Sequence, residues 1–314
     1  MVLNNRIAVI IPSYKVSLHI KQVVDSLPDI IDYIIVVDDK CPEGSGNVAK
    51  SIKNNKLTVI YHDVNKGVGG AVVSGYKKAL EFSADICIKV DGDGQMDSKY
   101  IPKMVQPLVD NSADYTKGNR FRDFVKLKTM PKIRLFGNSG LSFLVKASSG
   151  YWNIIDPTNG YTAIHKRVLE ELELENLSER YFFESDMLIQ LNIVDAVVKD
   201  ISMPAIYGEE RSSLNVSKIL FDFPQKLLKG FVKRVFLKYF VYDFNMASVY
   251  SIFGIPMVFW GFVFGVYRWY LGAFENIENS TGTIMLSVLP LILGMQFLIA
   301  AISIDIDSIP KKEK

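Results

Sequence analysis

The residues best suited to chemistry cluster around position 91. Asp91-Gly92-Asp93-Gly94-Gln95 follows the apolar run Ile86-Cys87-Ile88-Lys89-Val90. Two carboxylates two residues apart in a strand-end turn can share one hard divalent cation, which takes oxygen ligands and is completed by a ligand's phosphates. Asp-Gly also makes ordinary turns, but the apolar strand directly before it favours the metal reading. A second segment, Asn65-Lys66-Gly67-Val68-Gly69-Gly70-Ala71, offers backbone N–H groups at a helix start together with one lysine, both suited to phosphate. Polar groups also end two other apolar runs, as Pro12-Ser13-Tyr14-Lys15 and as Asp38-Asp39. Gly44-Ser45-Gly46-Asn47-Val48-Ala49 has the G-x-G-x-x-A spacing of a dinucleotide site, but that pattern needs its first glycine almost directly after the strand. Here Asp38 to Glu43 intervenes, with three acidic residues that would repel a pyrophosphate. The three histidines, His19, His62 and His165, show no ligand spacing.

The elements that must position these groups follow from apolar periodicity. Arg6–Ile11, Tyr33–Val37, Leu57–Tyr61 and Asp85–Val90 read as buried strands. Residues 17–27, 46–52, 69–82 and 98–111 read as helices, with Ser17 and Ser98 as expected N-caps. Four strand–helix alternations in succession predict an α/β domain with a mostly parallel sheet. Ligands of such sheets bind beyond the carboxyl ends of the strands, where all of the groups above would lie.

The chain has 314 residues, 49% hydrophobic and 22% charged, with 36 basic and 34 acidic side chains and a net charge of +2. That balance argues against a nucleic-acid partner, and two cysteines exclude a disulfide framework or a four-cysteine zinc site. The mean hydropathy of +0.16 is a little high for a soluble protein, and the excess sits at the C-terminal end. No charged residue occurs from Asn245 to Tyr267 or from Asn279 to Ile304. Each run exceeds the ~20 residues needed to cross a bilayer. The segment between them is acidic, with Glu275 and Glu278, while Lys226, Lys229, Lys233, Arg234 and Lys238 precede the pair and Lys311, Lys312 and Lys314 follow it. The positive-inside rule then predicts both ends in the cytoplasm and a short loop outside. MVLNNRIAVIIP lacks the length and flanks of a signal peptide. Residues 218–238 alternate apolar and basic positions at helical spacing, as expected for amphipathic helices in the headgroup layer, packed against the globular domain, or both on different faces. The expected layout is a domain over 1–215, juxtamembrane helices over 216–243, membrane helices over 244–271 and 283–305 joined by an outer loop over 272–282, and a cytoplasmic tail over 306–314.

Pro12-Ser13-Tyr14, Asp38-Asp39, Asn65-Lys66-Gly67 and Asp91-Gly92-Asp93-Gly94-Gln95, in that order, resemble glycosyltransferase family 2. Gly118-Asn119-Arg120-Phe121, Asp156-Pro157-Thr158-Asn159-Gly160-Tyr161 and the stretch Arg211 to Lys218 narrow the resemblance to the polyprenyl-phosphate glycosyltransferases, whose bacterial members often carry two C-terminal membrane helices. The resemblance implies a GT-A fold, Rossmann-like with a mostly parallel sheet, and a UDP- or GDP-linked nucleotide sugar as donor. It implies that Asp39, Pro12 and Tyr14 contact the nucleoside, with Lys66, Gly67 and Asp91 also on the donor side. Asp91, Asp93 and Gln95 would hold Mg²⁺ or Mn²⁺ against the diphosphate. Arg120, Arg134 and Asn138 would bind the acceptor phosphate, and Arg211 would close over the diphosphate.

On this reading a sugar passes to a polyprenyl phosphate at the cytoplasmic membrane face, with inversion at C1. The acceptor is largely dianionic at neutral pH, so a strong base is unnecessary. Asp156 and Asp186 are the acidic candidates on the acceptor side, with either a catalytic or a structural role, and Glu184 stands close by. Membrane lipid is the implied partner, with self-association left open. Two alternatives stand beside this reading: a family-2 transferase acting on a sugar hydroxyl, which lacks its expected Q-x-x-R-W motif here, and a non-catalytic membrane adaptor on the same fold.

Overall fold

The structure, a computed structural model, describes residues 5–120, 132–204, 216–275 and 277–312, with side chains described except at 132–139 and 216–221. The chain divides into two compact units, Met1–Arg234 with Pro310–Lys314, and Val235–Ile309.

The first unit is built on seven strands: β1 (Ile7–Ser13), β2 (Tyr33–Asp38), β3 (Leu57–Tyr61), β4 (Ile86–Lys89), β5 (Tyr115–Asn119), β6 (Thr162–His165) and β7 (Val198–Ser202). They form one sheet in the order β3-β2-β1-β4-β6-β5-β7. The pairs β1–β2, β2–β3, β1–β4 and β5–β7 are parallel. The expected strands are all present within two residues at either end. The sheet is mostly parallel, as expected; the exception is β6, which runs antiparallel to both β4 and β5. Thr162–His165 offers two apolar residues between polar ends, too little pattern to register in the sequence, whereas the equally short β4 lies inside a longer apolar run.

β1, β2 and β4 are apolar almost throughout because helices cover both sheet faces. Ile7, Val9, Ile11, Ile34, Val36, Ile86 and Ile88 are buried together in one core. The helices are α1 (Ile20–Asp25), α2 (Ser45–Lys50), α3 (Gly67–Glu81), α4 (Ile101–Val109), α5 (Lys132–Ser149), α6 (Lys166–Glu171) and α7 (Phe183–Ile193). Neither expected N-cap serine caps a helix. Ser17 Oγ donates to Glu43 Oε2 and Ser98 Oγ to the Ser26 carbonyl, while Asp97 accepts from the Lys99 N–H at the start of the 3₁₀ turn before α4. A carboxylate accepts a backbone N–H more strongly than a hydroxyl does, so Asp97 takes that position.

β2 and β4 leave β1 on opposite sides, so the strand order reverses there. This is the topological switch point at which open α/β sheets bind ligands. The segments after β1 (from Tyr14) and after β4 (from Val90) open at this crevice.

α8 (Val216–Phe236) follows, then a π-helical turn, Leu237–Tyr242. The compact first unit therefore runs through most of α8 rather than ending near residue 215. Within it, Leu227 and Arg234 are buried. Arg234 Nε donates to the Ser148 carbonyl at 2.8 Å and Nη2 to the Ala147 carbonyl at 3.1 Å. These are end carbonyls of α5, which have no partner inside their own helix. Elsewhere on α8, Leu228 and Val232 are exposed between Lys226, Lys229 and Lys233.

In the second unit, α9 (Met246–Phe274) and α10 (Thr281–Asp307) are 29 and 27 residues long, with mean hydropathies of 1.8 and 2.3 over their most apolar windows, and both are long and apolar enough to cross a membrane. They pack through small residues: the Gly254 and Gly294 backbones meet closely, and Ser287 Oγ donates to the Gly261 carbonyl at 2.8 Å. Such residues let apolar helices approach where hydrophobic burial gives no drive. Asn245 caps α9 with a reciprocal Ser248 bond.

Replacing Arg234 with Met strands two buried carbonyls at the end of α5. The expected loss is about 3 kcal/mol of stability in the first unit, read as a lower midpoint in denaturant unfolding. A loss below about 0.5 kcal/mol would show that α8 docks without this bond.

Candidate active site

The crevice at the switch point is a cavity of about 1260 Å³, and all of its walls belong to the first unit. The end of β1 contributes Pro12, Ser13 and Tyr14, the end of β4 contributes Asp91, Asp93 and Gln95, and Asp39 and Gly67 stand between them. Arg120 faces the same cavity from the end of β5, with Pro157 to Tyr161 beside it. The structure brings Pro12, Tyr14, Asp39, Gly67, Asp91, Asp93, Gln95 and Arg120 to one cavity, and leaves Lys66 and the two acids Asp156 and Asp186 off its wall. Arg134 and Asn138 fall in α5, where side chains are not described, and Arg211 lies outside the described residues.

Asp39 is almost fully buried. Its Oδ1 accepts from the Lys66 N–H at 2.8 Å and its Oδ2 from the Gly67 N–H at 2.7 Å, and His62 Nδ1 lies 2.8 Å from Oδ1. His62 Nε2 is 2.8 Å from Ser74 Oγ. Two of the N–H groups at the start of α3 that the sequence offered to a phosphate are therefore taken by a carboxylate of the same chain, which sits at the positive end of the helix. The Gly70 N–H is likewise taken, by the Glu179 carbonyl. Gly67 has φ +85°, and a Cβ there would meet Glu179 O at 2.7 Å. That conformation and that approach both demand glycine. The dinucleotide-like segment is also filled from within, since the Gly46 N–H donates to Asp38 Oδ2 at 2.6 Å.

Asp156 is fully buried and grips Arg120. Arg120 Nε lies 2.8 Å from Oδ2 and Nη2 lies 3.2 Å from Oδ1, a two-pronged carboxylate–guanidinium pair. The pairing fixes the guanidinium plane at the cavity wall and gives Asp156 an orienting position. Asp186 accepts from the N–H and hydroxyl of Ser178, both at 2.8 Å, and so ties the loop before α7 to that helix. The acid of this stretch that reaches the cavity is Glu184.

Three groups escape a reading of the sequence. Lys89, the last residue of β4, is buried, with Nζ 2.9 Å from Asp91 Oδ1, 3.2 Å from Glu184 Oε1 and 3.2 Å from the Gly160 carbonyl. Burial alone would push this ammonium down, but Asp91 and Glu184 outweigh it and hold it above the ordinary lysine range. Lys117 in β5 is also buried and donates to the Asn159 carbonyl; burial pushes it down to about 8. Arg180 joins the cavity wall beside Gly67. The one legible signal is a charged residue, Lys89, inside an otherwise apolar strand.

Asp91, Asp93 and Gln95 form an all-oxygen donor set in one turn on one cavity, the chemistry that suits a hard divalent cation. Among the described residues no group of three or more His, Cys, Asp or Glu converges to hold an ion unaided. The set fits an ion whose shell is completed by a bound ligand.

Residues 8–173, more than half of the chain, match the family described as Glycosyl transferase family 2. The chain belongs to this family. It is a glycosyltransferase, and its seven-stranded first unit is a GT-A fold. Among similar proteins, the UDP-N-acetylglucosamine–dolichyl-phosphate N-acetylglucosaminyltransferase of Methanococcus voltae is 35% identical over 215 residues, 62% of this chain and 85% of that protein. The undecaprenyl-phosphate mannosyltransferase of Micrococcus luteus is 27% identical over 189 residues, 58% of this chain and 76% of that protein. The solved glucosyl-3-phosphoglycerate synthase of Mycobacterium tuberculosis, in complex with Mn²⁺, UDP and glucosyl-3-phosphoglycerate, superposes with a TM-score of 0.54 at 17% identity, over 74% of this chain and 80% of that one. At that identity the likeness concerns the fold.

At the rear of the site, Asp200 accepts at Oδ2 from the Ile155 N–H at 2.8 Å and from Asn119 Nδ2 at 3.0 Å. Its buried Oδ1 has no hydrogen-bond partner among the described residues. Burial pushes this carboxyl up to about 6, against those two donors. An unfolded aspartate titrates near ~4, so the folded protein keeps this proton longer and loses stability as pH rises from about 4 to about 6. Asp200→Asn is expected to leave stability nearly unchanged at pH 4 and to raise it by about 2 kcal/mol above pH 6. Denaturant unfolding at pH 4, 6 and 8 checks this, and an equal effect at all three would refute the assignment.

Proposed function

We propose that this glycosyltransferase moves a sugar from a UDP- or GDP-linked nucleotide sugar to a polyprenyl phosphate at the membrane surface, with inversion at C1. The observation that carries the reading is one cavity that joins the Asp91–Asp93–Gln95 turn to the oriented guanidinium of Arg120. Two relatives point the same way: the Methanococcus and Micrococcus proteins are named for dolichyl- and undecaprenyl-phosphate acceptors. Two helices long and apolar enough to cross a membrane give a lipid substrate a place beside the enzyme. The basic flanks support a cytoplasmic catalytic domain and cytoplasmic termini.

Pro12, Tyr14 and Asp39 bind the nucleoside portion. Asp91, Asp93 and Gln95 would hold Mg²⁺ or Mn²⁺, which when bound supplies neutralisation of the diphosphate's charge. Support for a divalent ion comes from the fold neighbour solved with Mn²⁺ and UDP. Arg180 on the cavity wall and Arg211 on the segment before α8 add cationic groups for the departing diphosphate. Arg120 orients the acceptor phosphate, held in plane by Asp156, with Arg134 and Asn138 on α5 as further contacts. The acceptor is ionised at neutral pH, so these residues need to aim an oxygen at C1 rather than remove a proton. That requirement suits a single displacement, and it leaves Asp156 and Asp186 free to serve as orienting groups. A hydroxyl acceptor would instead need a base at hydrogen-bond range, and Glu184, the acid that α7 brings to the wall, is already engaged by Lys89.

Incubation of membranes with radiolabelled UDP- and GDP-linked sugars, a divalent ion and polyprenyl phosphate tests the reading. Label is expected in the lipid fraction with at least one donor, and its absence with every donor would refute the acceptor class. Asp93→Ala is expected to reduce that transfer more than about 100-fold with membrane insertion intact; full activity would refute the metal role. Arg134→Ala is expected to raise the KM for polyprenyl phosphate about tenfold and to change the KM for the donor little. Equal effects on both would refute its placement on the acceptor side.

A further inference from the structure

The buried ammonium of Lys89 touches both halves of the cavity. On the donor side it pairs with Asp91 at 2.9 Å. On the other side it donates to the Gly160 carbonyl at 3.2 Å. Gly160 belongs to the loop Asp156–Tyr161, and Lys117 donates to the carbonyl of the adjacent Asn159. The same loop carries Asp156, whose carboxylate fixes Arg120. Two lysines thus rise from neighbouring parts of the sheet to grip consecutive carbonyls of one loop. The fit is tight: a Cβ on Gly160 would lie 2.5 Å from Lys89 Nζ and 3.2 Å from Asp91 Oδ2.

We infer that Lys89 is a positioning residue that couples the donor half of the site to the acceptor half, through the continuous path Asp91–Lys89–Gly160–Asp156–Arg120. The coupling follows from competition for one cation. Lys89 shares its three N–H donors among Asp91, Glu184 and the Gly160 carbonyl. A ligand that draws on Asp91 redistributes those bonds, and the loop that sets Arg120 moves or stiffens with them. Two sites biased by one shared element have linked affinities, and the linkage is reciprocal. The inference rests on the proposed donor and acceptor sides.

Two measurements on the full-length protein in detergent test it, and neither reads turnover. In the first, hydrogen–deuterium exchange of the segment 156–161 is followed with and without UDP or GDP plus Mn²⁺. Its exchange is expected to slow at least about twofold once nucleotide is bound; unchanged exchange at saturating nucleotide would overturn the inference. This arm uses the wild-type protein and no acceptor, so it stands even if the acceptor reading fails. In the second, calorimetry measures the Kd of farnesyl phosphate with and without nucleotide and Mn²⁺. The wild type is expected to show a shift of about fivefold or more. The Lys89→Met/Glu184→Gln pair, which removes one charge of each sign, is expected to bring that factor close to one. A preserved factor in the paired variant, or no factor in the wild type, would overturn the coupling. Gly160→Ala, which leaves every charge in place, is expected to lower the factor as well. Loss of farnesyl phosphate binding in every condition would instead refute the acceptor class; the exchange experiment, repeated on the Lys89→Met/Glu184→Gln pair, then decides the role of Lys89, which is overturned if nucleotide still slows exchange of 156–161 in that variant as it does in the wild type.

Discussion

The site depends on one constraint: a buried ammonium must be surrounded by enough negative charge and carbonyl oxygen to offset its lost hydration. Lys89 sits in the last position of a core strand, where an uncompensated charge would be costly. Asp91, Glu184 and the Gly160 carbonyl together supply that compensation. Satisfying this one cation therefore draws the turn after β4, the first turn of α7 and the loop before β6 to a common point. Three segments far apart in the chain become one wall.

The same logic recurs around the cavity. Asp39 is held by two backbone N–H groups at the start of α3, so the end of β2 and the beginning of that helix cannot separate. Asp156 is held by Arg120, and Asp38 by the Gly46 and Cys41 N–H groups. Carboxylates at the strand ends are thus of two kinds. Asp38 and Asp156 are satisfied inside the protein and act as fasteners; Asp39 and Asp91 are held in the same way but also line the cavity, together with Asp93. In a low-dielectric crevice, polar groups fixed before the ligand arrives need little reorganisation when it does.

Much of this organisation is legible in the amino-acid sequence. The strands β1 to β4 are, because a sheet buried on both faces writes itself as continuous apolar runs such as Ile7–Ile11 and Tyr33–Val37. The two apolar helices are, because uncharged runs of membrane length are rare in soluble cores. The Asp91–Asp93–Gln95 turn is visible because it interrupts such a run. Pairing between distant segments is hidden. Nothing near Asp39 announces that it caps α3, and nothing near Asp156 announces Arg120, which lies 36 positions earlier. The antiparallel β6 has two apolar residues between Thr162 and His165, too few for a pattern to register. The choice between Asp186 and Glu184 depends on which side of α7 faces the cavity, and that is set by packing rather than by local sequence.

The central claim is that the turn after β4 is where donor diphosphate and metal meet, on the cavity that Arg120 also faces. The most direct measurement is an experimental structure of the full chain soaked with Mn²⁺ and UDP or GDP, with the ion located by its anomalous scattering. The account predicts one Mn²⁺ peak within bonding distance of Asp93 and of the diphosphate, with the nucleoside between Tyr14 and Asp39. A nucleotide bound away from this cavity, or a Mn²⁺ peak that avoids Asp91, Asp93 and Gln95, would contradict it.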